Sequence, residues 1–170
     1  QVVSTIDING GTLNFTGGAN NGGTVASTIT MTGGTLSGSN FDWYGSITAT
    51  PSLITNASAT SSTVSSGFRI RHETVTSVAD GAAANDLVVS GTIIQSGTNR
   101  ALTKSGLGTA VLSGANTYTG DTTVSAGTLA LQSTYASTLH SIASGAVLEL
   151  NVASGSRDYA STTFSGTGTL

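Results

Sequence analysis

Two short stretches hold most of the side chains that could do chemistry. Phe41-Asp42-Trp43-Tyr44 is the densest aromatic cluster, and Phe68-Arg69-Ile70-Arg71-His72-Glu73 is the densest charged run. Broad rings such as Trp43 and Tyr44 offer flat apolar faces on which a sugar can stack. In the second run, strand alternation puts Phe68, Ile70 and His72 on one face and Arg69, Arg71 and Glu73 on the other. Such a face could hold an anion or a catalytic pair. Trp43, Tyr44, Arg69 and Arg71 are therefore the candidate ligand contacts. Each stretch also has a plainer reading, which we prefer. The rings can cover the core at a corner or loop, and the charges can form a solvated strand face with cross-strand ion pairs. The acids nearest in sequence, Asp80 and Asp86, lie in or beside a suspected bulge and form no cluster.

Other chemistries find less support. His72 and His140 stand 68 residues apart, with no acid at ligand spacing. A metal site would need three or four converging ligands, so both histidines read as surface residues or as satisfied ones. Ser and Thr are too abundant to single out a nucleophile, which is made by geometry. The chain has no regular Gly-Gly-x-Gly-x-Asp run of the calcium-binding β-roll. It has no cysteine, hence no disulfide or thiolate site. We assign no catalytic residue, cofactor or metal.

Composition narrows the class. The 170 residues carry a net charge of −3, and only 8% are charged. Nucleic-acid binding needs a clustered basic face, and the five Lys and Arg do not supply one. No apolar run approaches the roughly twenty residues of a membrane helix, so no membrane insertion by this segment is expected. Gly, Ser and Thr dominate. Abundant alternating Val, Ile and Thr favour strands with a hydroxylated surface over a disordered chain.

The elements that must carry these residues are short strands between glycine corners. Gly-Thr followed by Ala or a larger apolar residue recurs, as at Gly11, Gly34, Gly91, Gly108, Gly127 and Gly168, with Gly145-Ala146-Val147 a variant. From Gly91 the steps are 17, 19, 18 and 23 residues. A period near twenty is that of a β-solenoid coil, which cannot bury its inward side chains until another coil stacks on it. The sequence predicts a single segment over 1–170. Residues 40–85 are less regular: Pro51 belongs at a corner or loop, and Val78–Asn85 should bulge outward. Leu13, Ile93, Val111, Leu129, Leu131 and Val147 are the expected inward positions. Asn20, Asn85 and Asn116 stand beside turns, where Asn can take the left-handed conformation and stack on its counterparts.

The stretch Leu102–Leu131 says more. It reads as three short strands, Thr109–Leu112, Thr122–Ser125 and Thr128–Leu131, with turns of Gly, Asn, Asp and Ser. Its segments Leu102-Thr103-Lys104-Ser105-Gly106, Leu112-Ser113-Gly114-Ala115-Asn116-Thr117-Tyr118-Thr119-Gly120 and Ala126-Gly127-Thr128-Leu129 closely resemble the autotransporter-associated β-strand repeat of secreted bacterial proteins, also called the passenger-associated transport repeat. Gly114, Asn116, Tyr118, Gly120, Gly127 and Leu129 carry the motif. Asn116 is expected in a turn, with Tyr118 packing near it. The resemblance implies a parallel β-helix at the cell surface or outside the cell, associated with a bacterial outer membrane. It implies no particular activity.

The expected fold is therefore all-β: a right-handed parallel β-helix, or β-solenoid, of roughly eight coils. The handedness rests on the family and on the usual crossover hand. The expected function is structural, a stalk or fibre segment. A carbohydrate-binding adhesin or polysaccharide-active enzyme, with a surface glycan as partner, is the alternative. An ice-binding solenoid ranks last, because Thr-x-Thr at Thr28–Thr30, Thr30–Thr32, Thr48–Thr50, Thr74–Thr76 and Thr117–Thr119 is irregularly spaced. The pattern starts and stops between motifs, and the end of the sequence joined to its start reads as one more coil. Both ends are thus expected to be covered, by continuing chain or by identical units stacked end to end.

Overall fold

The computed structural model describes residues 5–16, 19–24, 27–43, 50–151 and 161–170, with the backbone alone for 19–24. Every element among the described residues is a strand. The first coil holds β1 (Thr5–Asn9), β2 (Thr12–Phe15) and β3 (Ala19–Thr24). The second holds β4 (Thr28–Thr32), β5 (Thr35–Gly38) and β6 (Phe41–Trp43). β7 (Ser52–Thr55), β8 (Ser62–Val64) and β9 (Phe68–Ile70) form the third, and β10 (Thr74–Val78), β11 (Leu87–Val89) and β12 (Ile93–Gln95) the fourth. Later coils have two strands: β13 (Leu102–Ser105) with β14 (Thr109–Leu112), β15 (Thr122–Val124) with β16 (Thr128–Leu131), and β17 (Leu139–Ile142) with β18 (Val147–Leu150). β19 (Thr163–Gly166) begins another.

These strands stack into three parallel sheets of eight, seven and four strands. The first runs β1-β4-β7-β10-β13-β15-β17-β19, the second β2-β5-β8-β11-β14-β16-β18 and the third β3-β6-β9-β12. This is the expected parallel β-solenoid. Its complete windings fall slightly short of eight, because several coils are longer than the period of twenty. Thr5 faces Thr28, Thr28 faces Ser52, Ser52 faces Val75 and Val75 faces Thr103, steps of 23, 24, 23 and 28 residues. Only then do the steps shorten, Thr103 to Thr123 and Thr123 to Ser141, to 20 and 18.

The shortening has a physical counterpart in the core. Where three sheets enclose the interior, large rings fill it. Phe41 lies 5.7 Å from Phe68 and 5.3 Å from Phe15, and Trp43 meets Phe68 edge-on at 5.4 Å. Past β12 the third side has no strand among the described residues, where it is marked by the bridge between Asn116 and Tyr135. There Ala110, Leu112, Val124, Leu129, Leu131 and Leu148 fill the interior. Ile93, Leu129 and Leu131 are inward as predicted.

Two other inward assignments are out of phase by one residue. Val147 pairs with Thr128 and is half-buried, while its neighbour Leu148 pairs with Leu129 in the core. Val111 is buried, but Ala110 and Leu112 on either side are the residues in the core cluster. A one-residue slip exchanges the two faces of a strand. Leu13 has the predicted phase but sits in the outermost coil of its sheet and is half-buried.

Between residues 40 and 85, strands β6 to β10 pair in register with their neighbours, except that β6 shifts register against β3. The irregular stretches in this part are 56–61 and 79–86, the second on the expected bulge. Asp86 ties that loop down, accepting hydrogen bonds from the Gly81 and Thr109 amides at 2.8 Å each. Pro51 directly precedes β7. The left-handed asparagine is not one of those expected. It is Asn99, with φ 53°, in the corner after β12.

Candidate functional site

The segment from β13 to β16 is built to hold coils together. Leu102 and Lys104 alternate inward and are both buried. The Lys104 ammonium donates to three carbonyls: Ser105 at 3.1 Å, Gly106 at 2.6 Å and, in the next coil, Ala126 at 3.0 Å. An ammonium has three donors and no acceptor, so three carbonyls use it fully. Gly106 turns this corner with φ +75°. Burial lowers the Lys104 pKa to about 8, and the Asp86 charge partly offsets the effect.

The following corner joins three coils through one residue. Asn116 Oδ1 accepts from the Ile93 amide of the coil before at 3.2 Å. Its backbone N–H donates to Thr134 and its carbonyl accepts from Ala136, both in the coil after. Tyr118 is wholly buried, and its hydroxyl lies 2.9 Å from Thr122 Oγ1, which donates to Ser137 Oγ. Burial pushes the Tyr118 pKa up to about 12, against a smaller lowering by Thr122. Gly114 and Gly120 are buried where a Cβ would run into the backbone of Gly91 and Arg100, one coil back. Gly127 has φ +62°, and Leu129 is in the core. Asn116 thus sits in a corner with buried Tyr118 close by in sequence, and its backbone pairs with Tyr135 of the next coil and not with another Asn.

Residues 102–131 match the family model of the Passenger-associated-transport-repeat. No curated protein and no solved structure matches the chain. The repeat and the parallel solenoid around it together support a structural repeat region of an autotransporter passenger, a family setting that implies secretion to the cell surface or beyond. The buried polar groups of this segment are spent on backbone carbonyls, amides and one another.

Of the other candidates, Trp43 and Arg69 lie on the third sheet, in coils before the repeat, and Arg71 directly follows β9. The structure removes Trp43 as a stacking platform: it is only 1% exposed, with Phe41 and Phe68 around it. Tyr44 lies outside the described residues. Arg69 and Arg71 do come together, but not around Asp80 or Asp86. Their partner is Asp42, one coil earlier and in register with Arg69. Arg69 Nη1 is 3.3 Å from Asp42 Oδ1, and Arg71 Nη2 is 2.5 Å from Oδ2. The Asp42 carboxylate is nearly fully buried by the pair, while each arginine keeps about 30% of its side chain exposed. This is the cross-strand ion pair of the plainer reading. The signal was the coil step, which carries position 69 back to position 42. β9 stops at Ile70, so the alternation expected through Glu73 ends early: His72 is half-buried and Glu73 exposed.

One further residue departs from expectation. His140 is neither a surface residue nor satisfied. It is fully buried, stacked on Phe164 at 5.3 Å and edge-on to Tyr135 at 5.1 Å. Neither ring nitrogen has a hydrogen-bond partner of normal geometry among the described residues. Burial lowers its pKa, and the Ser137 backbone offsets this only in part. The Thr-x-Thr pairs do not line up. Thr28–Thr30 faces outward on the first sheet, Thr74 and Thr76 point inward, and Thr117 and Thr119 are exposed in the corner before β15. The column through Thr28, Ser52 and Thr103 is also interrupted by Val75.

Proposed function

We propose that the chain is a load-carrying stalk or fibre segment of an extracellular bacterial passenger, non-enzymatic in itself and held at the outer membrane. The observation that carries this is the first sheet, eight parallel strands in one ladder along the solenoid axis. In such a stack each coil supports only its neighbours, and length can be added without redesign. A free parallel edge recruits further strands unless something covers it. We therefore extend the reading to the ends: each coil stack abuts more of the same, either continuing chain or an identical unit. Head-to-tail contacts that do not close grow into filaments.

Electron microscopy and sedimentation of the protein isolated from its source test this. Rods or filaments longer than one segment are expected. A compact monomer of these residues alone, stable to dilution, would overturn it. Turnover of glycans or esters that is abolished by changing Arg69 or Glu73 would overturn the non-enzymatic part.

A further inference from the structure

The ion pair on the third sheet borders a cavity of about 170 Å³ lined by Asn40, Asp42, Phe68, Arg69, Thr92 and Ile94. We propose that this cavity binds a single acidic sugar unit, a pyranose ring bearing a carboxylate.

The argument starts from unspent donors. Asp42 gives both carboxylate oxygens to Arg69 and Arg71, so it has little left to accept from a ligand. Arg69 has five N–H donors in a planar fork, and among the described residues its one ion-pair contact is Asp42. Asn40 spends its oxygen on the Gly67 amide at 3.1 Å, which leaves its NH₂ to donate. The Thr92 hydroxyl makes no hydrogen bond to the described residues. A lining rich in donors selects a ligand rich in acceptors. The guanidinium fork matches a carboxylate, and the amide and hydroxyl match ring hydroxyls.

Charge points the same way. Arg71 reaches Ser96 Oγ, and Arg100 Nε donates to the Ser96 carbonyl, so three arginines gather on this side. Asp42 is the acid paired among them, and exposed Glu73 lies at the corner beyond Arg71. This is a positive patch on a chain whose net charge is −3. Size decides between a bare anion and a ring. The volume is many times the ~10–15 Å³ that admits a single water, so acetate or phosphate alone would leave much of it unfilled. Ile94 supplies an apolar wall for the C–H face of a ring.

The test is a titration of the ¹⁵N-labelled chain with D-galacturonate and D-glucuronate, set beside galactose, acetate and sulfate. A uronate should shift the amide signals of Gly67, Arg69 and Thr92, and bind about tenfold or more tighter than galactose or acetate. Arg69→Gln should weaken uronate binding about tenfold or more. Arg69→Lys, which keeps the charge and loses the fork, should recover only part of it. Thr92→Val tests the site independently, should an arginine variant fail to fold, and should weaken binding several-fold. Absence of uronate shifts, or shifts unchanged in the folded variants, would overturn the proposal. Equal binding of acetate or sulfate would overturn the ring, and equal binding of galactose would overturn the acid.

Discussion

Lys104, Tyr118 and His140 are ionisable groups held inside the solenoid, and each leaves a mark on stability against pH. Lys104 has its folded pKa lowered to about 8 from 10.5. The unfolded chain therefore holds that proton more tightly, so stability is lower below pH 8 and recovers as pH rises. From pH 8 to 10 the gain should be about 2 kcal/mol. Tyr118 has the opposite sign. Its folded pKa is raised to about 12, so above pH 10 the unfolded state releases a proton that the folded state keeps. By pH 11 the loss should be about 1 kcal/mol. Urea unfolding followed by circular dichroism should thus show a maximum near pH 10. Lys104→Met should remove the rising limb. The lowered pKa of His140 makes stability fall as pH drops below its ordinary value of about 6.5, and His140→Phe should flatten that limb. Two-residue alternation puts Lys104 on the same face as Leu102, so its burial could be read from the sequence even though it is not among the expected inward positions. Its role as a cap could not be read there, because the Ala126 carbonyl comes from another coil. His140 was hidden for a similar reason. Nothing near it in sequence announces that Phe164 will lie over its ring.

At the scale of elements, the corners are as demanding as the strands. At Gly91 an added Cβ would run into the Ser66 carbonyl of the coil below. At Gly145 it would meet nothing within 4 Å, but φ is +77°. At Gly11 it would meet nothing, with no such backbone constraint. Alanine at these three sites should cost about 1–3 kcal/mol or more, about 1 kcal/mol, and close to nothing. Leu129→Ala, in the core, should cost about 2–5 kcal/mol. Urea midpoints rank all four, and a tolerated Gly91→Ala would show that coil spacing is not set by backbone contact there. The Gly-Thr rhythm and the alternation in 102–131 made the strands and sheet direction readable. Phase was less secure in short strands that are apolar on both faces. β14 reads Thr-Ala-Val-Leu, and nothing in those letters says that Ala110, not Val111, points inward. The Asp42–Arg69 pair was missed because the local period there is 27 residues, well off the spacing later in the chain.

For the whole molecule, the three sheets differ in reach. The third stops at β12 while the first continues to β19. In a stack of near-neighbour interactions, opening free energy depends on how many sides each coil shares. Amide hydrogen exchange should be slowest in β7 to β14, inside the stack, and faster in β1, β2 and β19. Uniform protection along the ladder would mean that the coils open as one unit. Lys104 has a further consequence, one of reactivity. It is the only lysine in these 170 residues, and it is 1% exposed. The folded segment thus offers amine reagents, lysine-directed crosslinkers and lysine-cleaving proteases no side-chain target. Acylation of Lys104 must wait until the corner at Ser105–Gly106 lifts away from Ala126. The rate of its acylation is then a clock for the parting of two neighbouring coils, readable by mass spectrometry in the intact assembly without any engineered label.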